Sequence, residues 1–435
     1  MKVSISTLGC KVNQAESASI EGILRGQGHE VIPLIGNSSP DVCIINTCTV
    51  TAKSDYQSRQ LIRKAVRTGA KVIATGCYAQ LRQDELSGIA GVSLILGNSL
   101  KEKLPEYIDK LPAGLNAPAL SDNSDYPPLA LQPYFSRRAR AFLKIQDGCN
   151  FSCSYCAVPM ARGKSRSLSS EDVLHSVQML AADGFEEIVL TGVHIGNYGM
   201  DLHPKISLVE IVDNIVKEYS SVRIRLSSIE PQEFKKELLS LINSKSVCHH
   251  IHIPLQSGSD NVLKLMNRRY SAAFFKDIVN CIAATCPQIS IGTDVIVGFP
   301  GETEKDFKDT EKILTELPLS YIHVFPYSKR KGTAAEAMPG HIDSAVKRKR
   351  MATVIKLAEI KKNIYTTRHL GEILDVIVEN KSQTSGFYYG TSDNYLKVLI
   401  EGDNLTVGKR IQVKAVSFTQ SELLTVPLHQ PYQYT

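Results

Sequence analysis

Two series of alternating apolar and polar positions run along the 435-residue chain. From Lys2 to about Leu96, short β-rich runs (VSISTLG, DVCIINT, KVIATG and VSLILG) alternate with helical spacing over about Gln14 to Gln27 and Tyr56 to Arg67. Strands and helices taking turns predict a small parallel sheet with helices packed on it. A second series starts at AFLKIQ and continues through EEIVLTG, SVRIRLSS, HHIHIPLQ, ISIGTDVIVG and SYIHVFPYS, each pair separated by a helix-length stretch. Six such units predict a parallel barrel or most of one, a partial (β/α)6 TIM-like barrel. In such a barrel the reactive groups sit where strands end, and Cys149, Thr191, Ser228, Gln256 and Gly298 all lie at such ends. Between the two series, Pro112, Pro118, Pro127, Pro128 and Pro133 mark residues 112–136 as a linker or an ordered crossing arm. After Gly371 the period shortens to alternating strands, EILDVIVEN, GFYYGTS, YLKVLIE, KRIQVKAVSF and LLTVPL, which fit a small all-β barrel. The expected organisation is therefore 1–111, linker 112–136, 137–369 and 370–435, an α/β chain ending in an all-β module.

Composition narrows the class. Apolar residues at 43% and charged residues at 22% are ordinary globular usage, which excludes disorder and fibrous repeats. No stretch reaches the roughly 18 uninterrupted apolar residues of a membrane helix, and the N-terminus lacks an export signal, so the expectation is a cytoplasmic protein with no membrane partner. Lys and Arg exceed Asp and Glu by 50 − 44 = 6. Much of that excess lies on one predicted helix, Ser344 to His369, with Lys347, Arg348, Lys349, Arg350, Lys356, Lys361, Lys362 and Arg368 against the single acid Glu359.

Ten cysteines in a large chain without an export signal point to metal or redox chemistry rather than to a disulfide framework. Cys149, Cys153 and Cys156 place three thiols on one loop after a strand, close enough to ligate one cluster. A four-iron cluster held by three thiolates keeps one iron open to a substrate or cofactor. Structural zinc is the bland alternative, but it wants four closed ligands and no fourth Cys or His lies nearby in sequence. Cys10, Cys48 and Cys77 each close a strand-like run, so their loops can converge at one sheet edge. Cys43, inside DVCIINT, reads as a buried core thiol, and Cys248, Cys281 and Cys286 look ordinary.

The C-x3-C-x2-C spacing after the first barrel strand resembles the radical S-adenosylmethionine (SAM) superfamily. FLKIQDGCNFSCSYCAVPMARGKSRS, LTGVHIGNYG, RLSSIEP, HIHIPLQSGS, DVIVGFPGETE and HVFPYSKRKGTAAE are similar to the methylthiotransferase family within it, and LGCKVNQ, LTGVHIGNYG and LSSIEP favour the branch acting on threonylcarbamoyladenosine in tRNA. The resemblance runs essentially end to end. It implies two 4Fe-4S clusters. At Cys149, Cys153 and Cys156, S-adenosyl-L-methionine would chelate the open iron and be cleaved to a 5'-deoxyadenosyl radical that attacks adenine C2. At Cys10, Cys48 and Cys77, an auxiliary cluster would hold the sulfur that is methylated and transferred. An electron donor such as flavodoxin or ferredoxin is implied as a partner. Competing readings are the branches acting on isopentenyladenosine or on a ribosomal-protein aspartate, and, from a different class, a non-catalytic zinc RNA-binding protein.

The same resemblance assigns Thr191, Gly192 and Val193 to the strand end that meets the cofactor's amino group, although the acidic residue common elsewhere in the superfamily is absent. Val297 and Gly298 fit the adenine-contacting strand, where a glycine would let the purine approach the backbone. Ser228 and Gln256 either touch the cofactor or satisfy neighbouring loops. GFYYGTSDNYLKVLI resembles the TRAM module of RNA-modifying enzymes, with Tyr388, Tyr389 and Tyr395 as base-stacking candidates and Lys397 and the basic helix as phosphate contacts. Two motifs are decoys. Gly163-Lys164-Ser165 has Val158 where a phosphate loop needs glycine, and His250 and His252 read as one polar face of a barrel strand rather than a metal site with Cys248.

Overall fold

The computed structural model describes residues 1–34, 39–111, 119–120, 138–419 and 422–428. The first series folds as a parallel sheet. Strands Lys2–Thr7, Val42–Thr47, Lys71–Gly76 and Val92–Leu96 lie side by side in register, with the two-residue strands Glu30–Val31 and Ala119–Leu120 at its edges. The central strand Val42–Thr47 is buried along its whole length, as a sheet covered on both faces requires. Helices Lys11–Gly26 and Ala52–Val66 lie over it, the second started by a Thr51/Ser54 capping box. Cys43 is a core residue, as expected. Most of the 112–136 expectation lies outside the described residues, but Ala119–Leu120 extends the sheet.

The second series gives six parallel strands in sequence order. Ala141–Lys144, Glu187–Thr191 and Arg223–Leu226 form one half; His250–His252, Ser290–Val297 and Tyr321–Pro326 form the other. The halves meet through an Ile224–Val247 bridge and bonds from Ile224 to Ser246 and from Ile229 to His252. The barrel stays open between its first and last strands. Near that opening, Ala15 of helix Lys11–Gly26 packs on Phe142 and Val189, so the N-terminal sheet domain closes against the barrel.

The chain ends in a closed five-stranded barrel formed by Ile373–Lys381, Phe387–Ser392, Lys397–Glu401, Arg410–Thr419 and Glu422–Pro427. It covers the end of the large barrel where the strands begin. Arg223 donates to Asp375 O, and Arg225 to the carbonyls of Ser392 and Asp393. Both arginines share the fully buried carboxylate of Glu187, which Arg140 also approaches. Burial alone would raise the Glu187 pKa, but Arg225 and Arg223 outweigh it and hold this carboxyl far below the usual range. Glu187→Gln would leave guanidinium charge uncompensated in the interior. An expected loss of about 3–5 kcal/mol, read in urea unfolding, should come with faster proteolytic release of residues beyond 370. Unchanged unfolding would contradict this account of the joint.

Helix Ser344–Thr367 packs along the last barrel strand, so not every basic residue on it is free to meet a phosphate. Arg350 is buried against Glu302, and Lys361 Nζ donates to the carbonyls of Thr315 and Leu317. Arg368 lies over the Tyr365 ring, and Lys347 lies over Gly298. Arg348, Lys349, Lys356 and Lys362 remain exposed.

Candidate functional site

Each N-terminal cysteine sits where a strand hands over to a helix. Cys10 precedes helix Lys11–Gly26, Cys48 follows Val42–Thr47, and Cys77 opens the short helix Cys77–Leu81. Glycine lets these turns meet. Gly9 (φ +99°) lies so close to Cys48 that an added Cβ would stand 2.7 Å from its Sγ, and one on Gly76 (φ +96°) would stand 2.4 Å from Thr47 O. The three thiols feel one another's charge, and burial pushes Cys48 up to about 11.

Cys149, Cys153 and Cys156 occupy the loop after Gln146–Asp147, at the end of the large barrel opposite the small one. Burial pushes the Cys156 thiol up to about 12 and raises that of Cys153. Arg268 Nη1 reaches Cys153 Sγ at 3.3 Å and is anchored by Glu230. His194 Nδ1 stands 3.7 Å from Cys149 Sγ, with its Nε2 2.8 Å from Glu233. Burial works against a charged His194, yet Cys149 and Glu233 prevail and push its pKa up to about 10. Gln146 ties this loop to the next strand end. Its Nε2 donates to the carbonyls of Asp147 and Gly148, and its Oε1 accepts from His194 N–H. None of Gln146, His194, Glu230, Glu233 and Arg268 was singled out from the sequence, because a supporting role leaves no spacing signal.

Among the described residues, neither cysteine triplet brings its three ligand atoms within 4.8 Å of one another. Thiolates around one zinc, with bonds near 2.3 Å, lie only about 4 Å apart. A cluster of several irons accepts a wider spacing of its thiolates than one zinc does. Charge agrees. Buried Glu16 and Asp147 are ringed by Arg162, Lys101, Lys144 and Arg166, two acids against four cations, and both Arg162 and Lys101 feel the Cys77 charge. The surplus is what an anionic thiolate cluster would neutralise.

The remaining sequence candidates fall as follows. Thr191 is buried at its strand end and Gly192 lies against the Gln146 side chain, with Val193 beside it at the turn. Ser228 is exposed, whereas its neighbour Ser227 is buried with an unpartnered hydroxyl, an orphan that a bound polar cofactor would satisfy. Gln256 lines a cavity of about 210 Å³ with Val50, Thr51, Tyr155, Asp294 and Phe325, so residues following Cys48 and preceding Cys156 face one space. Val297 is buried. The room opened by Gly298 is taken by the stem of Lys347, since an added Cβ would meet Lys347 Cγ at 2.1 Å. That side of the glycine is protein-filled rather than a cleft for a purine.

His250 and His252 share a face, as expected, and both bond the Tyr321 hydroxyl. Asp294 accepts from His252 and His323, each at 3.1 Å, which explains that three-residue cluster without an ion. Among the tyrosine candidates, Tyr388 is packed inside the small barrel and Tyr395 lies 4.3 Å from the His250 ring, while Tyr389 is exposed. Strand alternation sends Tyr388 inward and Tyr389 outward, a choice of face that a lone YY pair does not declare. Lys397 is bonded to Glu379 and Thr391.

The radical SAM superfamily profile matches residues 143–314, and that of the uncharacterized protein family UPF0004 matches residues 2–97. The chain is 38% identical to the threonylcarbamoyladenosine tRNA methylthiotransferase MtaB of Bacillus subtilis, over 95% of this chain and 93% of that one. It is 37% identical to the MtaB of Aquifex aeolicus over 95% and 100%. It is 33% identical to the tRNA-2-methylthio-N(6)-dimethylallyladenosine synthase of Pelotomaculum thermopropionicum over 95% and 94%. In fold it is similar to the radical S-adenosylmethionine methyltransferase TsrM of Kitasatospora setae (TM-score 0.54, 16% identity, 77% of each chain). The family profile and these relatives define a radical SAM enzyme. Within that class, the chain belongs to the tRNA methylthiotransferase family.

Proposed function

We propose that this protein adds a methylthio group to carbon 2 of N6-threonylcarbamoyladenosine beside the tRNA anticodon. The observation that carries the reading is a cavity lined by Val50 and Thr51, just after Cys48, and by Tyr155, just before Cys156, in a chain whose relatives named above include two MtaB enzymes. When bound, a cluster at Cys149, Cys153 and Cys156 with SAM supplies a carbon radical able to take hydrogen from an unactivated position, and a second cluster at Cys10, Cys48 and Cys77 supplies the sulfur. The chain's own residues hold these groups. Arg268 and His194 place positive charge beside Cys153 and Cys149, and Gln146 fixes the cluster loop against the Thr191–Val193 turn, the place proposed for the cofactor's amino group. Ser227, Ser228 and Gln256 are the polar strand ends proposed to face the cofactor, with Val297 supporting it from the core. An external one-electron donor of the flavodoxin or ferredoxin kind and a cytoplasmic location belong to the same reading.

The proposed division is 1–111 for the auxiliary cluster, 112–136 as connection, 137–369 for the radical core and 370–435 as a TRAM-type RNA-binding module. Lys356 and Lys362 lie on the helix that borders the small barrel, and Lys362 lines a groove of about 410 Å³ with Tyr395 and Lys397. Cutting the chain at residue 370 would uncover buried Arg223 and Arg225, so point variants are the better probe. Lys356→Glu and Lys362→Glu should each weaken tRNA binding and lower the salt dependence by about one unit of log–log slope. Unaltered slopes would place the RNA elsewhere.

The reading is tested by anaerobic turnover of the reconstituted enzyme on tRNA carrying threonylcarbamoyladenosine and on tRNA carrying isopentenyladenosine, with nucleosides identified by mass. A methylthio product on the first alone is expected. Product on the second alone would overturn the substrate assignment.

A further inference from the structure

We propose that the carboxylate of Asp294 accepts the N6–H of the target adenine and so seats the base with carbon 2 toward the cysteines; this rests on the substrate reading just given. Asp294 lines the cavity of about 210 Å³, and its neighbours there on the barrel side include Ile296 and Phe325. Those two are register partners on adjacent strands, as Asp294 and His323 are one step below. The rest of the lining includes Val50, Thr51 and Tyr155, which belong to the cysteine-bearing loops.

The carboxylate is held from one side only. Its Oδ1 stands 3.1 Å from His252 Nε2 and 3.1 Å from His323 Nδ1. His252 is fixed in turn, because its Nδ1 lies 3.0 Å from the Tyr321 hydroxyl, which also bonds His250 Nε2 at 2.8 Å. Three strands, His250–His252, Ser290–Val297 and Tyr321–Pro326, thus contribute to orienting one acid. Both histidines take the same oxygen. Among the described residues Oδ2 has no hydrogen-bond or ion-pair partner, and 26% of the side chain stays accessible. Other acids of the interior are used up: Glu187 gives Oε1 to Arg225 and Oε2 to Arg223, and Asp147 gives Oδ1 to Arg162 and Oδ2 to Arg166. An oriented carboxylate with one idle oxygen beside Ile296 and Phe325 is a place for a hydrogen-bond donor.

The chemistry of the base supplies that donor. Carbon 2 has to face the cysteine-bearing loops, where the radical and the sulfur are supplied, and this turns the far edge of the ring, with C6 and its substituent, toward the barrel strands. The ring nitrogens N1, N3 and N7 are acceptors, which a carboxylate repels. With one substituent in place, N6 keeps a single hydrogen, and it is the only donor on the ring system. A carboxylate against this base is therefore satisfied by N6–H, and a base seated the other way would set acceptor against acceptor, a penalty that enforces the orientation. An adenine that carries a methyl group on N6 beside its threonylcarbamoyl group has no such hydrogen.

The test compares full-length reconstituted wild type, Asp294→Leu and Asp294→Asn on two tRNAs, one carrying threonylcarbamoyladenosine and one carrying its N6-methyl derivative, in which a methyl group replaces the N6 hydrogen. Anaerobic affinity for the matching anticodon stem-loops and kcat/KM for the methylthio product are both read. Wild type should favour the N6–H substrate by about 10–100-fold. Asp294→Leu should lose that preference, falling on the N6–H substrate while changing less than about threefold on the methylated one. Asp294→Asn keeps the shape and an uncharged acceptor and should narrow the preference to about 2–10-fold, which decides the matter if the leucine enzyme does not fold. Iron and sulfide contents equal to wild type would show that both cysteine sites are intact. A wild-type enzyme without the preference, or variants that keep it in full, would overturn the proposal while leaving the substrate reading standing. A wild type that modifies isopentenyladenosine and neither of these tRNAs would remove the substrate reading and this role of Asp294 together.

Discussion

Replacing Arg162 by methionine should cost about 3–5 kcal/mol in the unfolding transition that separates the N-terminal sheet domain from the barrel. Arg162 is fully buried and donates to Glu16, Asp147 and Asn13 at 2.6–3.2 Å, so one guanidinium joins the helix after Cys10 to the loop before Cys149. Methionine fills a similar volume but leaves Glu16 and Asp147 with lysines and Arg166 alone. Arg162→Lys restores the charge without the planar fork and should recover less than half of the loss. Urea unfolding with limited proteolysis reads the effect, and a variant within 1 kcal/mol of wild type would contradict it.

The same cluster sets an acid limit. Burial would raise both carboxyl pKa values, but the cations, Arg162 foremost, hold Glu16 well below the usual range and Asp147 at about 2. Groups depressed in the folded state add stability that is complete above their unfolded values, near 4, and is lost as pH falls toward the folded ones. The contribution of these two carboxyls to the domain joint should therefore be level from about pH 5 upward and weaken between about 4 and 2. Arg162→Met should flatten that dependence.

Removing either set of cysteines should abolish the methylthio product, by at least about a thousandfold, while halving the metal. Wild type reconstituted anaerobically should hold about eight irons, and the Cys149/Cys153/Cys156→Ala and Cys10/Cys48/Cys77→Ala variants about four each. The two losses should be independent because the sites rest on different domains. The Arg268 and His194 contacts belong to one, and the Gly9 and Gly76 turns to the other. Zinc without sulfide, or full product from a Cys10→Ala enzyme, would remove the two-cluster reading.

The sequence by itself determined the order of elements and the candidate cluster ligands. Apolar period and strand-ending cysteines are local signals, and the six barrel strands and the two helices expected in the sheet domain lie where that period put them, within a few residues. Strand ends also marked Thr191, Gln256 and Ser228 before any contact was known. What the tertiary structure alone decided is where charge is spent. Glu16, Arg162 and Asp147, and separately Glu187 and Arg225, are scattered over the chain and carry no spacing, and they become two ion-pair clusters only in the folded protein. Packing also claimed residues that looked free, since Lys347 fills the room above Gly298, Arg350 is buried, and Tyr388 and Tyr395 are turned inward. A side chain's partner depends on what long-range folding brings beside it.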